Sequence, residues 1–167
     1  MVATASSGIK QQGPGRWQYQ LWLIRHNRLM TNQEKDRRHI QQNNICQFCN
    51  REVESSLHAL RDCEWISNIW QKLVDPCKWS EFKAKELESW VDWNIGGAQI
   101  GKHESEGWQF TFQQVVHHAW TARNDFCHTG NRRKMQMEAE SLRLQAKKDA
   151  MRVWSSKELP YRRTLLK

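Results

Sequence analysis

Apolar residues recur at helical spacing along most of the chain. In residues 16–30, RWQYQLWLIRHNRLM, the positions Trp17, Leu21, Ile24 and Arg28 share one side, with Trp22 and Leu29 beside them. That pattern predicts a helix with a wide apolar stripe. Thr31 and Glu34 follow at capping-box spacing, where the hydroxyl accepts a first-turn amide and the carboxylate reaches back to the cap. A second helix is expected from there to about Ile40, closed by the polar run QQNN at 41–44. Leu57, Leu60, Ile66, Ile69, Trp70 and Leu73 continue the rhythm until Pro76 stops it. Residues 78–93 predict a further helix. Residues 110–127 predict another, with Phe112, Val116, Ala119, Trp120, Arg123 and Phe126 along its stripe. Between these two, NIGGAQIGKHESEG at 94–107 has the composition of a flexible loop. Beyond the break HTGN, Met135, Ala139, Leu142, Ala146, Ala150 and Val153 trace a long helix with a narrow small-residue stripe and a basic exterior. No strand hairpin and no internal repeat stands out, so the expected fold is mainly α.

Composition sharpens this picture. The chain has 167 residues, enough for one domain with a tail and for a buried core. Its ten tryptophans are far above ordinary usage, and each buries a large area, so they are expected to supply much of that core. No apolar run is long enough to span a membrane. The start, MVATASSGIKQQGPG, lacks the apolar centre of a signal peptide and reads as a disordered leader over residues 1–15. An intracellular, reducing setting is therefore expected, in nucleus or cytoplasm, where cysteines bind metal or stay free. The net charge of +8 is concentrated at the C-terminal end: residues 131–167 hold eleven Lys and Arg against four acids. The organisation read from this is a leader (1–15), a helical domain (16–93), a flexible loop (94–107) and a helical segment with a basic tail (108–167).

The candidate chemistry lies in NICQFCNREVESSLHALRDCEW, which holds Cys46, Cys49, His58 and Cys63. A C-x2-C pair turns two sulfurs toward one point, and a Cys3His set suits tetrahedral zinc with no position left for water. Zinc fits a closed thiolate-rich site better than copper or iron does. His58 and Cys63 are five residues apart, which on a regular helix points them about 140° from each other. Both reach one ion only if the helix is distorted or ends near Cys63, so a break or tightened turn is expected there. The competing reading places small apolar cysteines in the core and His58 in an ordinary helix; the ordered spacing favours the metal. Such a site contributes on the order of 10 kcal/mol of apparent binding energy, so its role is structural. The fold class expected is thus a small helical domain built around a Cys3His zinc knuckle, followed by amphipathic helices and a long basic C-terminal helix.

These residues resemble the zinc-binding domain that follows the reverse transcriptase in plant LINE-type (non-LTR) retrotransposon polyproteins. The resemblance rests on QLWLIRHNRLMTNQEKDRRHI, CQFC, Glu54, HALRDC and Trp70, and more loosely on AWTARNDF at 119–126. Two prolines common in the family are absent, since Gln47 follows Cys46 and Glu64 follows Cys63; those prolines shape turns and do not bind metal. The resemblance implies Cys46, Cys49, His58 and Cys63 as Zn2+ ligands and a noncatalytic accessory of reverse transcription. It implies RNA or DNA as partner, or the reverse transcriptase or RNase H domains of a related polyprotein. The chain shows no Tyr/Phe-x-Asp-Asp polymerase segment and no set of acidic residues in apolar strands suited to a two-metal nuclease.

Arg25, Arg28, Lys35, Arg37 and Arg38 beside the zinc ligands, with Arg132, Arg133 and Lys134 at the start of the tail, are the candidate nucleic-acid contacts. Arginines on phosphates with tryptophans on bases hold single strands without sequence choice. A solvated helix face over core tryptophans explains the same pattern. The alternative function is a zinc-stabilised protein-interaction or inter-domain scaffold. His117, His118, Cys127 and His128 lack a C-x2-C pair, and adjacent histidines point to different helix sides, so a second metal site is disfavoured. Cys77 reads as a free thiol or a substitute for Cys63. Glu34, Glu54 and Asp62 have no nucleophile partner and suit cap or metal-supporting roles.

Overall fold

Helix α1, Gly15–Arg25, forms on the expected stripe and sends Leu21 and Ile24 into the core of the computed structural model. The structure describes residues 15–96 and 108–134, with positions 137, 140, 141, 144 and 148 beyond them. The leader, most of the 94–107 loop, the stripe predicted for the tail helix and the side chain of Trp17 lie outside the described residues. α1 stops short of residue 30 because Asn27 takes a left-handed backbone, φ 51°, which asparagine tolerates better than most residues. The turn still returns Leu29 to the core.

Helix α2, Asn32–Arg37, is also shorter than expected and ends before His39, another left-handed residue at φ 58°. Thr31 caps it, accepting the Glu34 amide at 3.3 Å. The reciprocal half of the capping box is replaced. The Glu34 carboxylate accepts two bonds of 2.7 Å from Arg37 and one of 2.6 Å from Arg38. Charge-assisted bonds of this kind outcompete a neutral amide. Led by the Arg37 bond, they hold the Glu34 carboxyl down at about 2.

The stripe from Leu57 to Leu73 does not form one helix. A π-helical turn, His58–Asp62, gives way at Cys63 to α3, Glu64–Leu73. A 3-10 turn, Pro76–Lys78, then leads into α4, Trp79–Ala84, and α5, Leu87–Ile95. The helix expected over 78–93 is thus divided at Lys85 and Glu86, both extended. Arg61 supplies the reason: its guanidinium is buried and donates to the carbonyls of Lys85 (2.5 Å) and Phe82 (3.4 Å), satisfying the end of α4 in place of another turn. Helix α6, Trp108–Thr129, follows the expected stripe, and Gly130 closes it with a left-handed φ of 64°.

Trp70 stands at the centre of the core. It is fully buried, and its Nε1 donates to the Leu60 carbonyl at 2.8 Å. Its ring meets Phe82 at 5.3 Å, Phe112 at 5.7 Å, Trp90 at 6.0 Å and Trp108 at 6.2 Å, separations at which aromatic pairs attract beyond their burial. Trp65, Trp90 and Trp108 are buried as their abundance suggested, whereas Trp22 stays 51% exposed. Outside the core, Arg25 ties α1 to α5 through two bonds to Asp92 (2.7 and 2.9 Å) and one ion pair to Glu88 at 2.7 Å. Among the described residues the sole β feature is an isolated antiparallel bridge between Ile45 and Val53. No described helix is long and apolar enough to cross a membrane.

Truncating the central ring leaves a cavity that four aromatic neighbours cannot fill. Trp70→Ala is expected to lower the unfolding free energy by about 3–5 kcal/mol in urea titrations of zinc-loaded protein, against less than about 1 kcal/mol for Trp22→Ala.

Candidate metal centre

The first two candidate ligands lie on the tip of a short hairpin. Its arms are joined by the amide of Glu54 to the Asn44 carbonyl and the amide of Cys46 to the Glu52 carbonyl, each 2.8 Å. The tip closes through Asn50, whose amide donates to the Cys46 carbonyl at 2.9 Å and whose φ is 53°. The amides of Phe48 and Cys49 are directed at the Cys46 sulfur. Asparagine tolerates this left-handed backbone better than most residues.

The second pair comes from the π turn. There the Cys63 amide bonds the His58 carbonyl, five residues back, at 2.9 Å. This wider coil brings His58 and Cys63 toward the same side, which a regular helix would forbid. The turn is widened, not tightened as the spacing suggested, and the expected break falls at Cys63 (φ −57°, ψ 139°). Cys63 is the residue immediately before α3.

The four ligand atoms lie within 4.8 Å of one another. Cys46 Sγ is 3.9 Å from Cys63 Sγ, and Cys49 Sγ is 3.4 Å from His58 Nε2. Tetrahedral zinc with ordinary bond lengths has S···S edges of about 3.8 Å and S···N edges of about 3.5 Å. The donor set and its spacing fit zinc. All three cysteines are free thiols, and of the four residues only Cys49 is partly exposed. His58 Nδ1 meets the Glu52 carboxylate at 3.1 Å, leaving Nε2 to face the sulfurs. A carboxylate behind a histidine orients the ring and raises its basicity toward a metal. Glu52, which the sequence reading passed over, does the supporting work for which Glu54 was a candidate; nothing in its spacing marks it, because the hairpin tip brings it back over His58.

The electrostatics of the cluster suit a cation. Contact with Cys63, aided by His58 and the two amides, outweighs burial and holds Cys46 down at about 3. The same contact, with burial, pushes Cys63 far up. Burial pulls His58 down, but Cys46 and Cys49 prevail and raise it to about 9. Zinc has to displace these protons, so loading releases acid and weakens as pH falls.

Residues 4–70 match the family described as zinc-binding in reverse transcriptase. This segment is similar to the zinc-binding domain of reverse transcriptases. Over 111 residues, 66% of its length, the chain is also 34% identical to a "Putative ribonuclease H protein" of Arabidopsis thaliana. The match spans 18% of that protein's length. No solved structure matches the chain.

The packing around the Cys3His cluster extends beyond the matched segment. Three residues of its motifs, distant in sequence, form one buried network: Asn32 of RLMTN, Glu54 of the hairpin and Arg123 of AWTARNDF. Arg123 donates through Nε to Glu54 Oε1 at 3.0 Å and through Nη2 to Glu54 Oε2, and Nη2 also reaches Asn32 Oδ1 at 3.1 Å. Glu54 Oε2 accepts the Asn32 amide at 2.8 Å, and Asn32 Nδ2 donates to the Ile45 carbonyl at 2.8 Å. Burial lowers the Arg123 pKa, but Glu54 more than compensates and raises it. Phe126 meets Phe48, inside the C-x2-C loop, edge-on at 5.6 Å, and Arg132 sits 4.6 Å over the same Phe48 ring while donating to its carbonyl at 2.7 Å. Helix α6 thus grips the metal hairpin from behind.

The basic candidates separate into two groups. Arg25, Arg37 and Arg38 are held in the ion pairs described above, Lys134 pairs with Asp125 at 2.9 Å, and Arg132 is taken up by Phe48. Arg28, Lys35 and Arg133 enter no ion pair among the described residues. Of the other candidates, Asp62 pairs with Arg61 at 2.9 Å and with Lys83; burial pushes its pKa up, but the two cations together outweigh it and leave the pKa lowered. Cys77 is exposed and outside the cluster, and His117 bonds Gln20 at 2.6 Å.

Two outcomes follow from this geometry. Arg123→Met leaves Glu54 buried without its cation and is expected to cost about 3–5 kcal/mol in urea unfolding, while adding Glu54→Gln restores part of the loss. Glu52→Gln is expected to weaken zinc about 10- to 100-fold, read by competition with a chromogenic chelator, with the fold retained.

Proposed function

We propose that this chain is a noncatalytic zinc-folded module of a retrotransposon-derived reverse transcriptase polyprotein, with Cys46, Cys49, His58 and Cys63 as the ligands, and that it holds RNA or DNA weakly through phosphate charge. The observation carrying this reading is the convergence of four protein ligands at tetrahedral spacing. Four protein ligands leave zinc no position for an attacking water, so the ion folds the chain and activates nothing. Among the described residues, this cluster is also the one grouping of three or more His, Cys, Asp or Glu arranged to hold a metal. The hydrolytic name of the Arabidopsis relative concerns a protein of which this match spans 18%. The positive balance of +8 supports attraction to a polyanion. The thiolate ligands suit a reducing compartment.

The reading is tested with purified protein by metal analysis and by titration of single-stranded RNA across salt. One zinc per chain is expected in the parent and none in Cys46→Ser or His58→Ala. Affinity is expected to fall linearly in log–log form as salt rises. No binding at low salt, or binding indifferent to salt, leaves the scaffold alternative.

A further inference from the structure

Resting on the nucleic-acid reading above, we infer that the groove between α1, α2 and the C-terminal half of α6 is a binding site for single-stranded nucleic acid, with bases stacked on Tyr19 and Trp22 and phosphates held by Arg28 and Lys35. The groove has a volume of about 940 Å³, and its lining includes four Arg or Lys side chains and no carboxylate. Arg38 and Arg123 on its wall already have carboxylate partners, whereas Arg28 and Lys35 form no ion pair among the described residues. Those two cations are therefore available to an incoming anion.

The aromatic side of the groove is placed where core packing does not need it. Tyr19 is 63% exposed and Trp22 51%, whereas the other tryptophans among the described side chains are buried or half-buried. Their rings lie 6.2 Å apart and 9° from parallel, and Trp22 stacks in turn on His26 at 4.6 Å. The end of α1 and the residue after it thus present Tyr19, Trp22 and His26 as a stacked run of rings beside Arg28 and Lys35, with Trp120 also lining the groove. Stacking platforms flanked by positive charge hold unpaired bases; a duplex keeps its π faces covered and offers the platform nothing. An acidic protein surface would use the cations but leave Tyr19 and Trp22 idle, so the paired features favour a single strand. RNA and DNA share this chemistry.

The test uses the full zinc-loaded chain and fluorescein-labelled oligouridylate, oligodeoxythymidylate and a duplex of equal length, read by anisotropy across salt. Zinc content confirms folding of each variant. Tyr19→Ala with Trp22→Ala is expected to weaken single-strand binding about 5- to 100-fold with an unchanged salt slope. Arg28→Ala with Lys35→Ala is expected to reduce the slope of log K against log salt by about 1.4, one phosphate per cation removed. Duplex bound as tightly as the single strand overturns the inference. So does parental affinity in both groove variants with a loss in Arg133→Ala with Lys148→Ala; that result moves the site to the tail and leaves the nucleic-acid reading standing. Failure of the parent to bind any probe at low salt defeats that reading itself.

Discussion

Four side chains from two separate local structures have to meet around one zinc ion, and much of the backbone between residues 44 and 64 is shaped by that demand. The hairpin tip turns through a left-handed Asn50 so that Cys46 and Cys49 face inward. The helical segment that follows widens into a π turn so that His58 and Cys63, five residues apart, share a side. A π turn is rare because its hydrogen bonds are poorly placed, and it persists where a site requires it. The energy released by zinc ligation, on the order of 10 kcal/mol, is ample to offset such local cost.

That constraint also positions everything attached to it. Starting α3 directly after Cys63 orients Trp65, Ile66 and Trp70 toward the core, and Trp70 returns a bond to Leu60 within the π turn itself. On the other side of the hairpin, Glu54 presents a buried carboxylate that Arg123 of α6 neutralises. Buried charge without a partner is strongly unfavourable, so the metal hairpin and α6 stabilise each other through this contact. The motif spacing between residues 32, 54 and 123 thereby acquires a physical reason. Helix α6 lies beyond the matched family segment, yet it supplies both the arginine and the aromatic rings that complete the core.

The same packing decides which basic residues remain available. Arg25, Arg37 and Arg38 look equivalent to Arg28 in a helical projection, but acids on α2 and α5 claim them. Among the described candidates Arg28, Lys35 and Arg133 keep no ion pair, and the first two line a groove with two exposed aromatics at its edge. Surface charge that remains unpaired next to exposed rings is a more specific recognition surface than overall basicity.

The order and character of the helices, the abundance of core tryptophan, the Thr31 cap and the four residues that converge as a Cys3His cluster were legible in the sequence, because helical period, cap chemistry and ligand spacing are local properties. The need for a distorted helix before Cys63 was legible too, from angular arithmetic alone. Whether that distortion tightened or widened the coil was decided by tertiary structure, since only the widened form satisfies His58 and Cys63 together. Tertiary structure likewise decided that Arg61 divides the helix expected over 78–93, that Glu52 and not Glu54 stands behind His58, and that Glu54 meets Arg123. Each depends on a partner brought from another element, and neither periodicity nor spacing carries information about which distant charge will be buried beside which.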